Sequence, residues 1–156
     1  MNTQNKKRIQ QMELENLRQK HPSVPEHCLA KSAWSDKTAN GLTKMVTSFL
    51  TFSGYQAERI NTMGTFRGPK KYTNLDGVTR SVGKGTYTKT TGTKGSADIS
   101  ATINGRSVKL EIKIGADRQS EDQKRYQESI ERAGGVYKIV KNFDEFIEWY
   151  DSFVLK

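Results

Sequence analysis

A chain of 156 residues with a net charge of +9 and only 33% hydrophobic residues has room for one ordinary core, with part of its length left solvated or ordered on a partner. Its single cysteine, Cys28, excludes an intramolecular disulfide, and with only His21 and His27 as further soft donors a four-coordinate zinc site is not expected. No apolar run approaches the roughly 18 residues of a membrane helix, and the polar start MNTQNKKRIQQMELEN has no signal-peptide apolar segment, so the expectation is a soluble, unexported, cytoplasmic protein without a membrane partner.

Residues 4–20, QNKKRIQQMELENLRQK, predict a helix whose apolar stripe of Ile9, Met12 and Leu17 is thin, leaving it marginal alone. Pro22 and Pro25 make 21–37 read as a linker, with Leu29 and Trp34 as its packing residues. Residues 1–37 are therefore expected to form an N-terminal helical extension and linker, ahead of a domain over 38–156. That domain opens on LTKMVTSFLTF, where Leu42, Met45, Val46, Phe49 and Leu50 recur at helical spacing and Gly54 stands just past the end. YQAERIN, 55–61, reads as a strand.

Residues 64–94 form a basic insert. Glycines at 64, 68, 77, 83, 85 and 92 among many Thr and Tyr residues predict short strands and turns, with a hairpin closed over Asn74–Gly77. Between 65 and 96, Arg67, Lys70, Lys71, Arg80, Lys84, Lys89 and Lys94 stand against Asp76 alone, a net +6, whereas 97–156 carries −1. Cations interleaved with Phe66, Tyr72 and Tyr87 suit a surface that tracks a phosphate backbone, which makes nucleic acid the expected polyanion. A solvated basic loop is the plainer reading of the same run.

Residues 94–113, KGSADISATINGRSVKLEIK, carry the chemistry. Asn104-Gly105 predicts a two-residue type I′ hairpin turn, because both positions need positive φ. The register that follows sets Ile103 against Arg106, Ala101 against Val108, Ile99 against Leu110 and Asp98 against Glu111. Ile99, Ala101, Ile103, Val108, Leu110 and Ile112 then share one face, and Asp98, Ser100, Thr102, Lys109, Glu111 and Lys113 the other. Opposed carboxylates repel unless something positive sits between them, and a hard divalent cation beside Lys113 would meet that need. A solvated strand face with a turn-end aspartate is the competing reading.

Beyond the hairpin, GADRQ is a loop and Ser120 starts a helix through about Ala133, with Ser120-Glu121-Asp122-Gln123 fitting a capping box and Gly134-Gly135 ending it. VYKIV, 136–140, is a short strand, and Asn142 caps a last helix presenting Phe143, Phe146, Ile147, Trp149 and Tyr150. The order helix, strand, insert, hairpin, helix, strand, helix predicts an α/β (α+β) layer with a mixed sheet, the hairpin at its centre and a crossover helix.

GSADI, LEIK with its Glu thirteen residues after Asp98, and Gln123 twelve residues after Glu111 resemble the PD-(D/E)XK nuclease superfamily, and EIKIGADRQSEDQ followed by AGGVY and NFDEF is similar to its VRR-NUC branch. The resemblance covers roughly residues 40–150, most specifically 95–146. It implies a restriction-endonuclease-like mixed β-sheet flanked by helices, and a Mg²⁺-dependent endonuclease or nickase acting on DNA, with Mn²⁺ able to substitute. Asp98, Glu111, Lys113 and Gln123 would be catalytic, with Asp98, Glu111 and the Ile112 carbonyl as metal ligands. Lys113 would hold and help deprotonate the attacking water, Gln123 would orient that water or the scissile phosphate, and Arg118 and Ser120 would shape the loop. Branched or nicked DNA is the implied substrate, and by analogy a homodimer would make double-strand cuts. Two departures stand out: Ala97 occupies the motif's proline position, and Thr38–Ser53 has no acidic residue, so no second metal site from that helix is expected. A non-catalytic nucleic-acid-binding module of the same fold is the alternative, and a subunit docking through its N-terminal helix is a third.

Overall fold

Asn2, Thr38, Ser120 and Asn142 each turn a side-chain oxygen onto a backbone N–H at the start of a helix, satisfying donors that have no partner within the helix. Among the described residues the α-helices are α1 (Thr3–Lys20), α2 (Ala39–Phe52), α3 (Glu121–Arg132) and α4 (Phe143–Val154). The strands among these residues are β1 (Gln56–Arg59), β2 (Thr65–Arg67), β3 (Lys70–Thr73), β4 (Thr79–Val82), β5 (Thr86–Thr88), β6 (Ile99–Ile103), β7 (Arg106–Ile112) and β8 (Val136–Val140). The computed structural model describes residues 1–61, 64–89 and 92–155. Thr90 and Thr91 of the basic insert lie outside the described residues.

The chain divides into two compact units, Met1–Ile60 with Gly95–Lys156, and Asn61–Lys94. In the first, four strands form a mixed sheet in the order β1-β6-β7-β8, antiparallel except between β7 and β8. The parallel pair needs a crossover, and α3 supplies it. Asn104 (φ 49°) and Gly105 (φ 75°) make the tight turn between β6 and β7. The ladder pairs Ile103 with Arg106, Ala101 with Val108 and Ile99 with Leu110, the register the Asn-Gly turn dictates.

The apolar face of that hairpin is sealed. Ile99, Ala101, Ile103, Val108, Leu110 and Ile112 join one core with α2 and α4. Phe49 of α2 meets Phe143, Phe146 and Tyr150 edge-on, with centroids 5.8, 5.7 and 5.0 Å apart, each pair adding about 0.5–1.5 kcal/mol beyond the area it buries. Residues 1–37 fall inside this unit. Ile9 is fully buried, and the Arg8 guanidinium lies 5.0 Å over the Phe49 ring. Trp34 is buried, its indole N–H donating to the equally buried Glu13 at 2.9 Å. The stripe that looked too thin to hold α1 is thus completed by a cation–π contact and a carboxylate–indole bond.

The described residues of the second unit form two antiparallel ribbons, β2 with β5 and β3 with β4. The expected turn over Asn74–Gly77 closes β3 and β4, with Gly77 at φ 78° and the Asn74 side chain accepting from the Val78 N–H at 2.8 Å. All four strands are exposed along their length. Among the described residues no helix is long and apolar enough to cross a membrane.

Candidate active site

Strand alternation turns Glu111 away from the core that Leu110 and Ile112 enter, yet Glu111 is only 1% exposed. Cover comes from α3 and β8. Ser120 and Gln123 form the capping box, Gln123 accepting from the Ser120 backbone N–H at 2.9 Å through Oε1. That fixes the amide, and its Nε2 donates to Glu111 Oε1. Lys113 Nζ stands 3.1 Å from the same oxygen and 3.3 Å from Asp117 Oδ2. On the other side the Tyr137 hydroxyl is 3.4 Å from Glu111 Oε2 and from Gln119 Nε2.

Asp98 ends the polar row one step before Ile99, and its Oδ2 accepts the Ile112 backbone N–H at 2.9 Å. Its backbone oxygen accepts from the Ile60 N–H at 2.8 Å. Both bonds tie Asp98 to its neighbouring strands. The Asp98 charge reaches Glu111: burial first, then repulsion from Asp98, pushes the Glu111 carboxyl above its ordinary value, against the pull of Lys113 and Tyr137. Burial also raises the Tyr137 hydroxyl, with the Glu111 charge adding to it. Lys113 is 8% exposed, and burial works to lower it, but bonds to Glu111 and Asp117 prevail and hold it raised. Lys113 is an ammonium here. It can stabilise negative charge, whereas accepting a proton would first require it to give one up.

The structure therefore brings Glu111, Lys113 and Gln123 into contact and sets Asp98 close enough to repel Glu111. Among the described residues no three of His, Cys, Asp and Glu converge. A donor set of two carboxylates and a main-chain carbonyl suits a hard ion that keeps its waters, and does not suit zinc. A hard cation would relieve the repulsion between the Asp98 and Glu111 carboxylates, so the chemistry of these donors fits magnesium.

The predicted nucleic-acid contacts Arg67, Lys70, Lys71, Arg80, Lys84, Lys89 and Lys94 all belong to the second unit. Arg67, Lys70 and Lys84 line one cleft of about 370 Å³ with Thr86 and Thr88, and the other four do not line it. Tyr137, Asp117 and Gln119 join the site without a role assigned by any motif of the sequence. The alternation of VYKIV puts Tyr137 on one face, but which face depends on pairing with Lys109 across the crossover, a contact no local pattern encodes. Neither family models nor curated proteins match the chain.

Proposed function

We propose that the protein is a Mg²⁺-dependent phosphodiesterase acting on DNA, a small endonuclease or nickase of the PD-(D/E)XK kind with a VRR-NUC-like, restriction-endonuclease-like fold. The observation that carries this reading is a buried Glu111 held between the Lys113 ammonium and the Gln123 amide, with the Asp98 charge beside it. In this reading Asp98, Glu111 and the Ile112 carbonyl hold the ion, Mn²⁺ being an acceptable substitute. When bound, the ion supplies an activated water and neutralises charge on the phosphoryl oxygens. Lys113 places a fixed positive charge where hydroxide and scissile phosphate meet, and Gln123, locked by its capping box, orients the same species. The basic insert supplies phosphate contacts, and two copies acting together would cut both strands of a branched or nicked duplex.

Supercoiled, linear and branched DNA incubated with and without Mg²⁺ or Mn²⁺ tests this. The expected result is metal-dependent cleavage that Lys113→Ala and Asp98→Ala abolish. Cleavage that survives both variants, or no cleavage on any of the three DNAs, overturns it. The alternative, a non-catalytic nucleic-acid-binding module, draws support from Lys113 being paired with both Glu111 and Asp117. It predicts salt-sensitive binding that Asp98→Asn leaves unchanged, with no cleavage.

A further inference from the structure

Phe66 and Tyr87 face each other across the β2–β5 ribbon, and directly opposed residues of an antiparallel pair share a face. Both rings are largely exposed, 68% and 61%. They do not lie against each other. Phe66 lies over Gly85, where a Cβ would collide with its Cζ, and Tyr87 lies over Gly64, where a Cβ would collide with its hydroxyl and Cζ. Each ring thus reaches diagonally across the ribbon to a glycine two residues beyond its partner. The tip of each ring sits against a glycine just ahead of a strand, and the rest of the ring is largely exposed. The reverse face of the same ribbon sends Arg67 and Thr86 into the cleft shared with Lys70 and Lys84.

From this geometry we infer that the second unit binds single-stranded nucleic acid, with unpaired bases stacked on the outer faces of Phe66 and Tyr87. A flat ring held at its tip by a glycine and open to solvent is a stacking platform, and base–aromatic stacking tolerates any sequence because every base has a π-face. The +6 charge of the segment supplies the complementary field for the phosphates. Duplex binding needs only the cations, since paired bases expose no face to the rings. The inference shares with the nuclease reading only its nucleic-acid partner, and stands or falls without catalysis.

Binding of the full-length protein to fluorescein-labelled oligodeoxyuridine, oligouridine and a mixed-sequence duplex of equal length, followed by anisotropy in EDTA, separates the possibilities. Cleavage is silent under these conditions. The native protein is expected to favour the single strands, and Phe66→Leu and Tyr87→Leu each to weaken that binding roughly 5- to 100-fold with duplex affinity little changed. Phe66→Trp restores it. Gly85→Ala keeps both rings but pushes Phe66 off its seat, and is expected to weaken single-strand binding as Phe66→Leu does. Equal affinity for duplex and single strands, or single-strand binding unmoved in a Phe66→Leu/Tyr87→Leu double variant, overturns the inference. A preference of deoxyuridine over uridine chains, or the reverse, assigns the sugar while supporting the stacking platform.

Discussion

Glu111 is the residue whose environment does most to define the site, and its proton linkage is measurable without any substrate. Burial and the Asp98 charge raise its carboxyl in the folded chain above the ordinary 4.5. The folded state therefore holds this proton more tightly than the unfolded state does, so the ionised form is the one that costs stability. Below the unfolded value the cost is absent. It grows as pH rises from 4.5 through the higher folded value and is constant beyond. Glu111→Gln cannot titrate there, so the stability of the native protein minus that of the variant should fall across this window and then level off. Urea unfolding in EDTA at half-unit pH steps from 4 to 8 measures it, and a difference that stays flat or rises would refute the assignment. The variant itself is expected to be less stable at pH 7, by about 3 kcal/mol or less, because it leaves Lys113 buried with Asp117 alone.

Among the elements, the first turn of α3 decides whether Glu111 has its partner, and two substitutions separate the turn's structural role from its role in the site. Gln123→Glu keeps a capping-box acceptor, since Glu and Gln serve equally at that position. It replaces the donor to Glu111 with a like charge. Helix content by circular dichroism should be unchanged, while metal-dependent cleavage drops roughly a hundredfold, the scale of a small displacement in a positioned site; unchanged cleavage would remove Gln123 from the site. Gly95 acts on the same turn from the other side. Its φ is +77°, and a Cβ there would stand 2.5 Å from the Asp122 carbonyl. Gly95→Ala should therefore cost about 2 kcal/mol or more, left-handed strain plus overpacking against backbone, and a thermal midpoint equal to the native one would contradict it. Much of this scale was legible in the chain. Asn104-Gly105 encodes its own turn and register, and Ser120 to Gln123 encode their own cap, because both are local. What local pattern does not carry is long-range contact: Gly95 meets α3, and Tyr137 meets Glu111, only when α3 and β8 fold back on the hairpin through the crossover.

At the scale of the whole molecule, the division of the chain follows from where apolar residues are spent. Residues 1–37 read as an extension because Pro22 and Pro25 interrupt them and Ile9 stands in a polar helix, yet Ile9 joins the core, Arg8 reaches the distant Phe49 ring, and Trp34 is held by Glu13. The basic insert was visible as a composition change, because its Gly, Thr and Lys content leaves too few apolar residues to build a core. None of its described residues belongs to the hydrophobic core of the first unit. Arg59 and Ile99, which flank it, are paired across β1 and β6, so the two ends of the first unit already lie side by side. Replacing residues 61–94 by a short Gly-Ser turn between Ile60 and Gly95 closes a shorter loop, which costs less entropy than the native connection. The shortened protein should keep its cooperative unfolding, with a midpoint within about 5 °C of the native one, a shift near 1 kcal/mol for a domain of this size. It should also lose nucleic-acid affinity and flatten the slope of log affinity against log salt by roughly 0.7–0.9 for each phosphate contact removed. Calorimetry and a salt titration of binding check the two halves separately: loss of cooperative unfolding would mean that the first unit depends on the insert, and an unchanged salt slope would mean that the cations of 67–94 hold no phosphates.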